Sequence, residues 1–225
     1  MENDAFDLPL MNALPRAIVP HGLKLVLASG SPRRSQLLRA AGYEFVVDRP
    51  ADGVECGICS RETAPEMVAR LAYQKAADVV PRHEAAMVLA ADTLASCLAQ
   101  ILGKPSDREH AEQMLRLLSG RKHTVFTGVC LWDTVSGRRL VDVTKTELRM
   151  ESLTEETLSA YLDSMKWEGK AGAFGYQDGN DWILVLDGGS ESNVVGLPME
   201  RLAELLDQFA ELADLHVSES SQKIK

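Results

Sequence analysis

Two uninterrupted apolar runs, KLVLAS at residues 24–29 and AMVLAAD at 86–92, restrict the fold more than any other feature of the chain. A strand with one wet face alternates apolar and polar residues; a run without alternation must be covered on both sides. The first run passes straight into SPRRSQLLRAAG. There Ser31 is a good N-cap, Pro32 suits the first helical position, Leu37, Leu38 and Ala41 make an apolar stripe, and Gly42 ends the helix. A buried strand feeding a helix, with a second buried strand to come, predicts helices layered on a sheet.

The remaining segments fill in that picture. A second helix opens at TAPEM, where Thr63 and Glu66 form a capping box, and runs through VARLAYQKAADVV. SDREHAEQMLRLLSG carries a Ser106/Glu109 box, a stripe of Met114, Leu117 and Leu118, and a Gly120 stop. HTVFTGVCLWDTVSGRRLVDVTKTELRM reads as a long hairpin turning at TVSG. A helix at LTEETLSAYLDS, a glycine-rich loop, the strand WILVLDG and a final helix LPMERLAELLDQF complete the body. Early strand–helix alternation followed by a hairpin predicts an α/β fold with a sheet of mixed direction. Residues 1–22, with three prolines and no periodicity, read as a tail or strap, 23–214 as a single domain, and 215–225 as a polar tail.

Charge narrows the partners. A net charge of −9 and a pI near 5.1 argue against a nucleic-acid polymer, whose binders need surplus cations to replace counterions. A small anion remains possible if the few cations converge on one pocket. No apolar run is long enough to span a bilayer, and the opening MENDAFDLPL is acidic, unlike a signal peptide. Four cysteines do not make a disulfide scaffold, so the expected compartment is a reducing cytoplasm. Cys56 and Cys59 of CGIC have redox-motif spacing but sit in a polar stretch with no buried strand immediately before them. Cys97 and Cys130 stand alone in apolar context, and no second pair or finger-spaced histidines suggest zinc. CGIC reads as incidental.

Four places could carry chemistry. Arg33 and Arg34 fall in the first helical turn, where the macrodipole disfavours cations by about 0.3–1 kcal/mol. Either they turn outward to solvent or distant acids, or an anion sits at the strand's carboxyl end and makes them charge-assisted donors. The stretch is neither a Walker loop nor a dinucleotide fingerprint. Asp92 lies where the second buried strand exits, placed to hold a divalent cation, orient water, or merely cap a turn. Lys75 shares a helical face with Val68, Leu71, Ala72 and Val79, so it either snorkels or meets phosphate; Lys104 in ILGKPSD offers the same choice. KAGAFGYQDGND is either a flexible turn or a loop that lets backbone approach a ligand, and Gln177 in it has an amide suited to a base edge.

Taken in order, LASGSPRRSQLL, ARLAYQKA, AADT, ILGKP, LSGRKHTVFTGV, WEGKAGAFGYQ and NVVGLP resemble the Maf family of nucleoside triphosphate pyrophosphatases over roughly residues 23–206. The resemblance implies a two-lobed α/β fold with a cleft, commonly dimeric. It also implies hydrolysis of a nucleoside triphosphate between the α and β phosphates with a divalent metal such as Mg²⁺, Mn²⁺ or Co²⁺. It places phosphate-binding roles on Ser29, Ser31, Arg33 and Arg34, lysines at Lys75 and Lys104, the catalytic aspartate at Asp92 and the acidic loop residue at Glu55. Asp92 and Glu55 would hold the metal or activate water. Arg33, Thr93 and Gln177 match the branch acting on dTTP and UTP. A 7-methyl-GTP or modified-nucleotide pyrophosphatase, and a non-enzymatic nucleotide-binding regulator of division, are the alternatives. Three departures stand out: the acidic loop reads DGVEC, LASCLAQ replaces an Asp-Gly turn, and Asp178 is added beside Gln177.

Overall fold

The computed structural model describes residues 14–54, 61–186 and 188–222, the stretch 212–222 by its backbone. The chain forms β1 (Lys24–Ala28), α1 (Pro32–Ala40), β2 (Phe45–Val47), α2 (Ala64–Val79), β3 (Ala86–Cys97), β4 (Gln100–Leu102) and α3 (Arg108–Leu118). It continues with β5 (Lys122–Asp133), β6 (Arg139–Met150), α4 (Glu155–Asp163), β7 (Ile183–Val185), α5 (Glu191–Val195) and α6 (Met199–Gln222). Among the described residues, no helix is long and apolar enough to cross a membrane.

The strands make one seven-stranded sheet in the order β2-β1-β3-β5-β6-β7, with β4 also on β3. β1 is parallel to β2 and β3, and the other pairings are antiparallel. The mixed sheet flanked by helices is the architecture expected from the sequence. As the unbroken apolar runs require, β1 and β3 are buried on both faces. Leu25, Leu27, Met87 and Leu89 point into a core with α1 and α6, where Leu37, Leu38, Leu202 and Leu206 are fully buried. Val26, Ala28, Val88 and Ala90 face α2 through Ala72, Ala76 and Val79. A separate core, built on Met114, Leu115, Leu118, Leu148, Leu162 and Trp167, gathers α3 and α4 around the far ends of the long strands. The two lobes therefore share β3, β5 and β6.

One pairing detail makes the cleft. Along the same edge of β3, β1 pairs with residues 86–90 and β4 with residues 95–97. Between them, residues 91–94 have β5 on one side and no strand on the other among the described residues. Asp92 and Thr93 lie in that gap.

Packing of α2 on the sheet fixes what faces Asp92. Asp92 pairs with Gly128 across the β3–β5 ladder, so both look toward α2. A Cβ on Gly128 would stand 2.3 Å from the Val68 carbonyl oxygen; glycine lets the helix lie directly on the strand. At that distance, Lys75 reaches the Asp92 carboxylate.

Some local expectations need correction. The α3 cap is Asp107, whose carboxylate accepts the His110 N–H at 2.8 Å, and the Ser106 hydroxyl donates to Asp107 rather than capping the helix. A carboxylate is the stronger acceptor at the positive helix end. The α3 stripe is Ala111, Met114, Leu115 and Leu118, with Leu117 only half-buried. Helix α6 continues through Gln222, into the stretch expected to be a polar tail. Part of the N-terminal strap is anchored: Leu14, Ala17 and Val19 pack on the first core, and the Ala17 N–H donates to the Tyr43 hydroxyl at 3.0 Å.

Candidate functional site

The gap in β3 opens into a cleft of about 770 Å³ between the lobes. Ser29, Ser31, Arg33, Arg34, Lys75, Asp92, Thr93, Lys104 and Gln177 all line it, so these positions converge from α1, α2, β3 and three loops. Glu55 lies outside the described residues, as do Cys56 and Cys59; the Arg49–Gly53 loop leading toward them borders the cleft. Among the described lining residues, six cations face three carboxylates: Arg33, Arg34, Arg49, Lys75, Lys104 and Lys170 against Asp52, Asp92 and Glu168. That local surplus of positive charge stands in a chain of net charge −9, and it focuses attraction for a small anion on one place.

Arg34 is the most constrained cation. It is 8% exposed, and its Nε donates to the Gly196 carbonyl at 2.8 Å. Nη1 donates to Ser29 Oγ at 3.0 Å and Nη2 to Thr93 Oγ1 at 3.2 Å. Thr93 and Thr127 pair across β3 and β5, their hydroxyls 2.9 Å apart, and Thr127 donates to the Asn193 carbonyl at 3.1 Å. Because Thr127 spends its proton on Asn193, Thr93 donates to Thr127 and receives from Arg34. Ser29 Oγ also accepts the Ser31 N–H at 3.2 Å, which leaves the Ser29 proton to offer. Ser31 occupies the N-cap position without a side-chain cap bond. The start of α1 thus borders the cleft without a side-chain cap.

Arg33 is held differently. Its Nη2 donates to the Gly169 carbonyl at 2.9 Å, tying α1 to the loop after α4. Burial pushes its pKa down while the nearby Asp178 charge pulls it up, and the guanidinium stays a cation. Lys75 Nζ lies 2.5 Å from Asp92 Oδ1, with both side chains largely buried. The lysine on the apolar stripe does not snorkel; it points along the sheet surface to the aspartate. Breaking such a pair strands a buried charge, at about 3–5 kcal/mol.

At the other end, Gln177 sits on a 3-10 turn, Tyr176–Asp178. The Tyr176 hydroxyl donates to Glu191 at 2.8 Å, and burial followed by that carboxylate raises its pKa to about 12, so it remains a donor. Phe174 lines the cleft and rests edge-on against His123, whose ring centroid is 5.2 Å away.

Arg49, Lys170 and Thr127 escaped sequence reasoning. Lys170 stands within the quoted WEGKAGAFGYQ, but the glycines around it drew the interpretation toward backbone. Thr127 is one hydroxyl in an apolar strand, and only its pairing with Thr93 gives it a part. Arg49 follows a short strand whose partner could not be known in advance.

A family model described as Maf-like protein matches residues 24–209. A dTTP/UTP pyrophosphatase of Rhodopirellula baltica is 65% identical over 209 residues, covering 91% of this chain and 92% of that protein. Proteins with the same description from Symbiobacterium thermophilum and Acetivibrio thermocellus are 42% and 40% identical, each over 83% of this chain and 94% and 96% of their own length. A solved HAM1 protein from Coxiella burnetii aligns over 83% of this chain and 99% of its own, with TM-score 0.44 and 17% identity.

Proposed function

Because the chain belongs to the Maf family, we propose that it hydrolyses dTTP and UTP to the nucleoside monophosphate and pyrophosphate. The observation that carries this reading is the convergence of Arg33, Arg34, Lys75, Lys104, Asp92 and Gln177 on a single cleft. A triphosphate carries more negative charge than the cleft's own carboxylates, so it replaces repulsion among the cations with charge-assisted hydrogen bonds. Arg34, already fixed through Thr93, Ser29 and Gly196, presents its guanidinium without reorganising, and Arg33, Lys75 and Lys104 complete the cradle.

Water attacks the α-phosphorus, the bond to the α–β bridging oxygen breaks, and pyrophosphate leaves with that oxygen. The cations offset charge on the leaving group, the dominant need in phosphoryl transfer. Asp92 takes the water's proton or orients the water, and Glu55 is the second carboxylate of this pair. For a divalent cation, Asp92 and Glu55 offer carboxylate oxygens, hard donors of the kind a magnesium-type ion takes. Such an ion accepts one or two carboxylates and completes its shell with substrate phosphates and water. Asp92 and Glu55 would hold it, and it would polarise the α-phosphate and its water. Gln177 reads the pyrimidine edge with its amide.

The test is release of pyrophosphate from dTTP and UTP with Mg²⁺, Mn²⁺ or Co²⁺. Orthophosphate alone, or binding without turnover under every metal, overturns the reading. We further propose a cytoplasmic homodimer; the buried thiols of Cys97 and Cys130 suit a reducing compartment, and light scattering of the purified protein tests the dimer.

A further inference from the structure

The residue immediately after Gln177 holds the tightest polar cluster at this end of the cleft. The Asp178 carboxylate receives Lys170 Nζ at 2.5 Å on both oxygens and the Tyr161 hydroxyl at 2.8 Å. The lysine and aspartate side chains are 11% and 8% exposed. Tyr161 comes from α4, Lys170 from the loop that follows, and Asp178 from the 3-10 turn. Burial and the facing Asp178 charge hold the Tyr161 pKa well above its usual range, so the phenol stays protonated and donates.

The backbone is shaped around this cluster. A Cβ on Gly175 would lie 2.5 Å from Lys170 Nζ and from Asp178 Oδ2, so only glycine leaves room for the pair to close over the turn. Gly175 has an ordinary extended conformation, φ −122°, so the side-chain cluster, and not backbone strain, excludes larger residues. Its N–H donates to Tyr161 Oη and its carbonyl accepts from Asn180 Nδ2, both at 3.2 Å. Lys170 borders the cleft, yet Asp178 takes up its charge. A buried ion pair adds little net stability compared with apolar packing; what it can do is specify one conformation.

We propose that Asp178 is a positioning residue for base selection: by clamping Lys170 it fixes the turn that carries Gln177, and so sets how far the amide stands from the phosphate cradle. An amide can rotate to meet a keto or an amino edge, so orientation alone discriminates poorly. Reach is different, because a turn held at one distance from the cradle suits a base of one depth, and a pyrimidine and a purine differ in depth.

This inference rests on the nucleotide reading above, and the experiment separates the two. Calorimetry measures binding of α,β-methylene-dTTP, α,β-methylene-dGTP and inorganic tripolyphosphate to wild type, D178N, and the uncharged pair K170Q/D178N. The expected result for D178N is about a tenfold loss for the dTTP analogue, with tripolyphosphate changed less than twofold and the pyrimidine preference nearly abolished. The double variant, polar and without a stranded charge, gives the same pattern if D178N alone fails to fold. Equal losses for tripolyphosphate and the dTTP analogue would make the cluster part of the phosphate cradle and overturn the proposal. So would an unchanged preference, or a wild type with none. Pyrophosphate release from dTTP is scored separately: a wild type that discriminates between the analogues without turnover refutes the reaction, not the positioning role.

Discussion

The two ends of the cleft solve the same problem with different materials. At the end proposed to hold phosphate, side chains are held by regular elements: Arg34 and Lys75 stand on helices, Asp92 and Thr93 on β3, and hydrogen bonds run through the ladder to Thr127. At the end proposed to read the base, Gln177 stands on a single turn packed against the Lys170–Asp178–Tyr161 cluster and a glycine. The first arrangement is rigid because the sheet is rigid. The second is rigid only while three side chains stay together. In the function proposed here, chemistry that tolerates little displacement would therefore sit on the sheet, and selection, which can be retuned by a few substitutions, on the loop.

The largest effect that would test this contrast is on turnover. Asp92→Asn should lower kcat about 10³-fold, equivalent to about 4 kcal/mol of barrier, with Kd for the dTTP analogue changed far less. Comparable kcat in single-turnover assays would remove Asp92 from the reaction and blur the division between the ends. Next comes Arg34→Lys, which keeps the charge but loses the fork that binds Thr93, Ser29 and Gly196 together. Tripolyphosphate affinity should fall about 100-fold, while the preference of pyrimidine over purine persists.

Acid should act on the α3–α4 lobe first. His123, 3% exposed beneath Phe174, has its pKa lowered to about 4 by burial, and its Nε2 has no hydrogen-bond partner among the described residues. The unfolded chain takes up a proton near pH 6.5 that the folded chain refuses until about pH 4, so stability falls as pH drops through that window and levels off below it. By pH 5 the loss relative to pH 7.5 is about 2 kcal/mol. Urea midpoints at the two pH values should show it, and His123→Leu should flatten the difference. Hydrogen exchange at pH 5 should open the α3–α4 lobe before the β1–α1 region; the reverse order would break the comparison. The smallest effect belongs to Gly175→Ala, whose methyl displaces the ion pair while leaving both charges in place. Pyrimidine preference should narrow about tenfold or less in competition assays, and kcat for dTTP should hold within a few-fold.

What could be foreseen from the chain follows the same line. Runs such as KLVLAS and AMVLAAD announce strands covered on both faces, because period and neighbourhood are local properties, whereas Lys75 on its apolar stripe leaves snorkelling and phosphate equally open and gives no sign of its pairing with Asp92. The gap in β3 is not local. It depends on β1 ending opposite Ala90 and on β4, running the other way, ending opposite Ala95, a matter of which distant strands meet. The partnership of Lys170 with Asp178 was hidden for another reason: they stand eight positions apart in a loop, and no periodicity tells which side chains of a loop turn inward. Asp107 displaced Ser106 as the α3 cap because two adjacent acceptors compete, and the carboxylate wins by charge.

The long strands have an evolutionary corollary. Since β3, β5 and β6 run unbroken from one lobe to the other, neither half possesses a sheet of its own that could be cut out and transplanted. A recombination event joining one lobe to a foreign partner would sever a strand in mid-course and leave its backbone groups facing nothing. Innovation in this scaffold must arrive as substitutions and loop insertions around an intact beam.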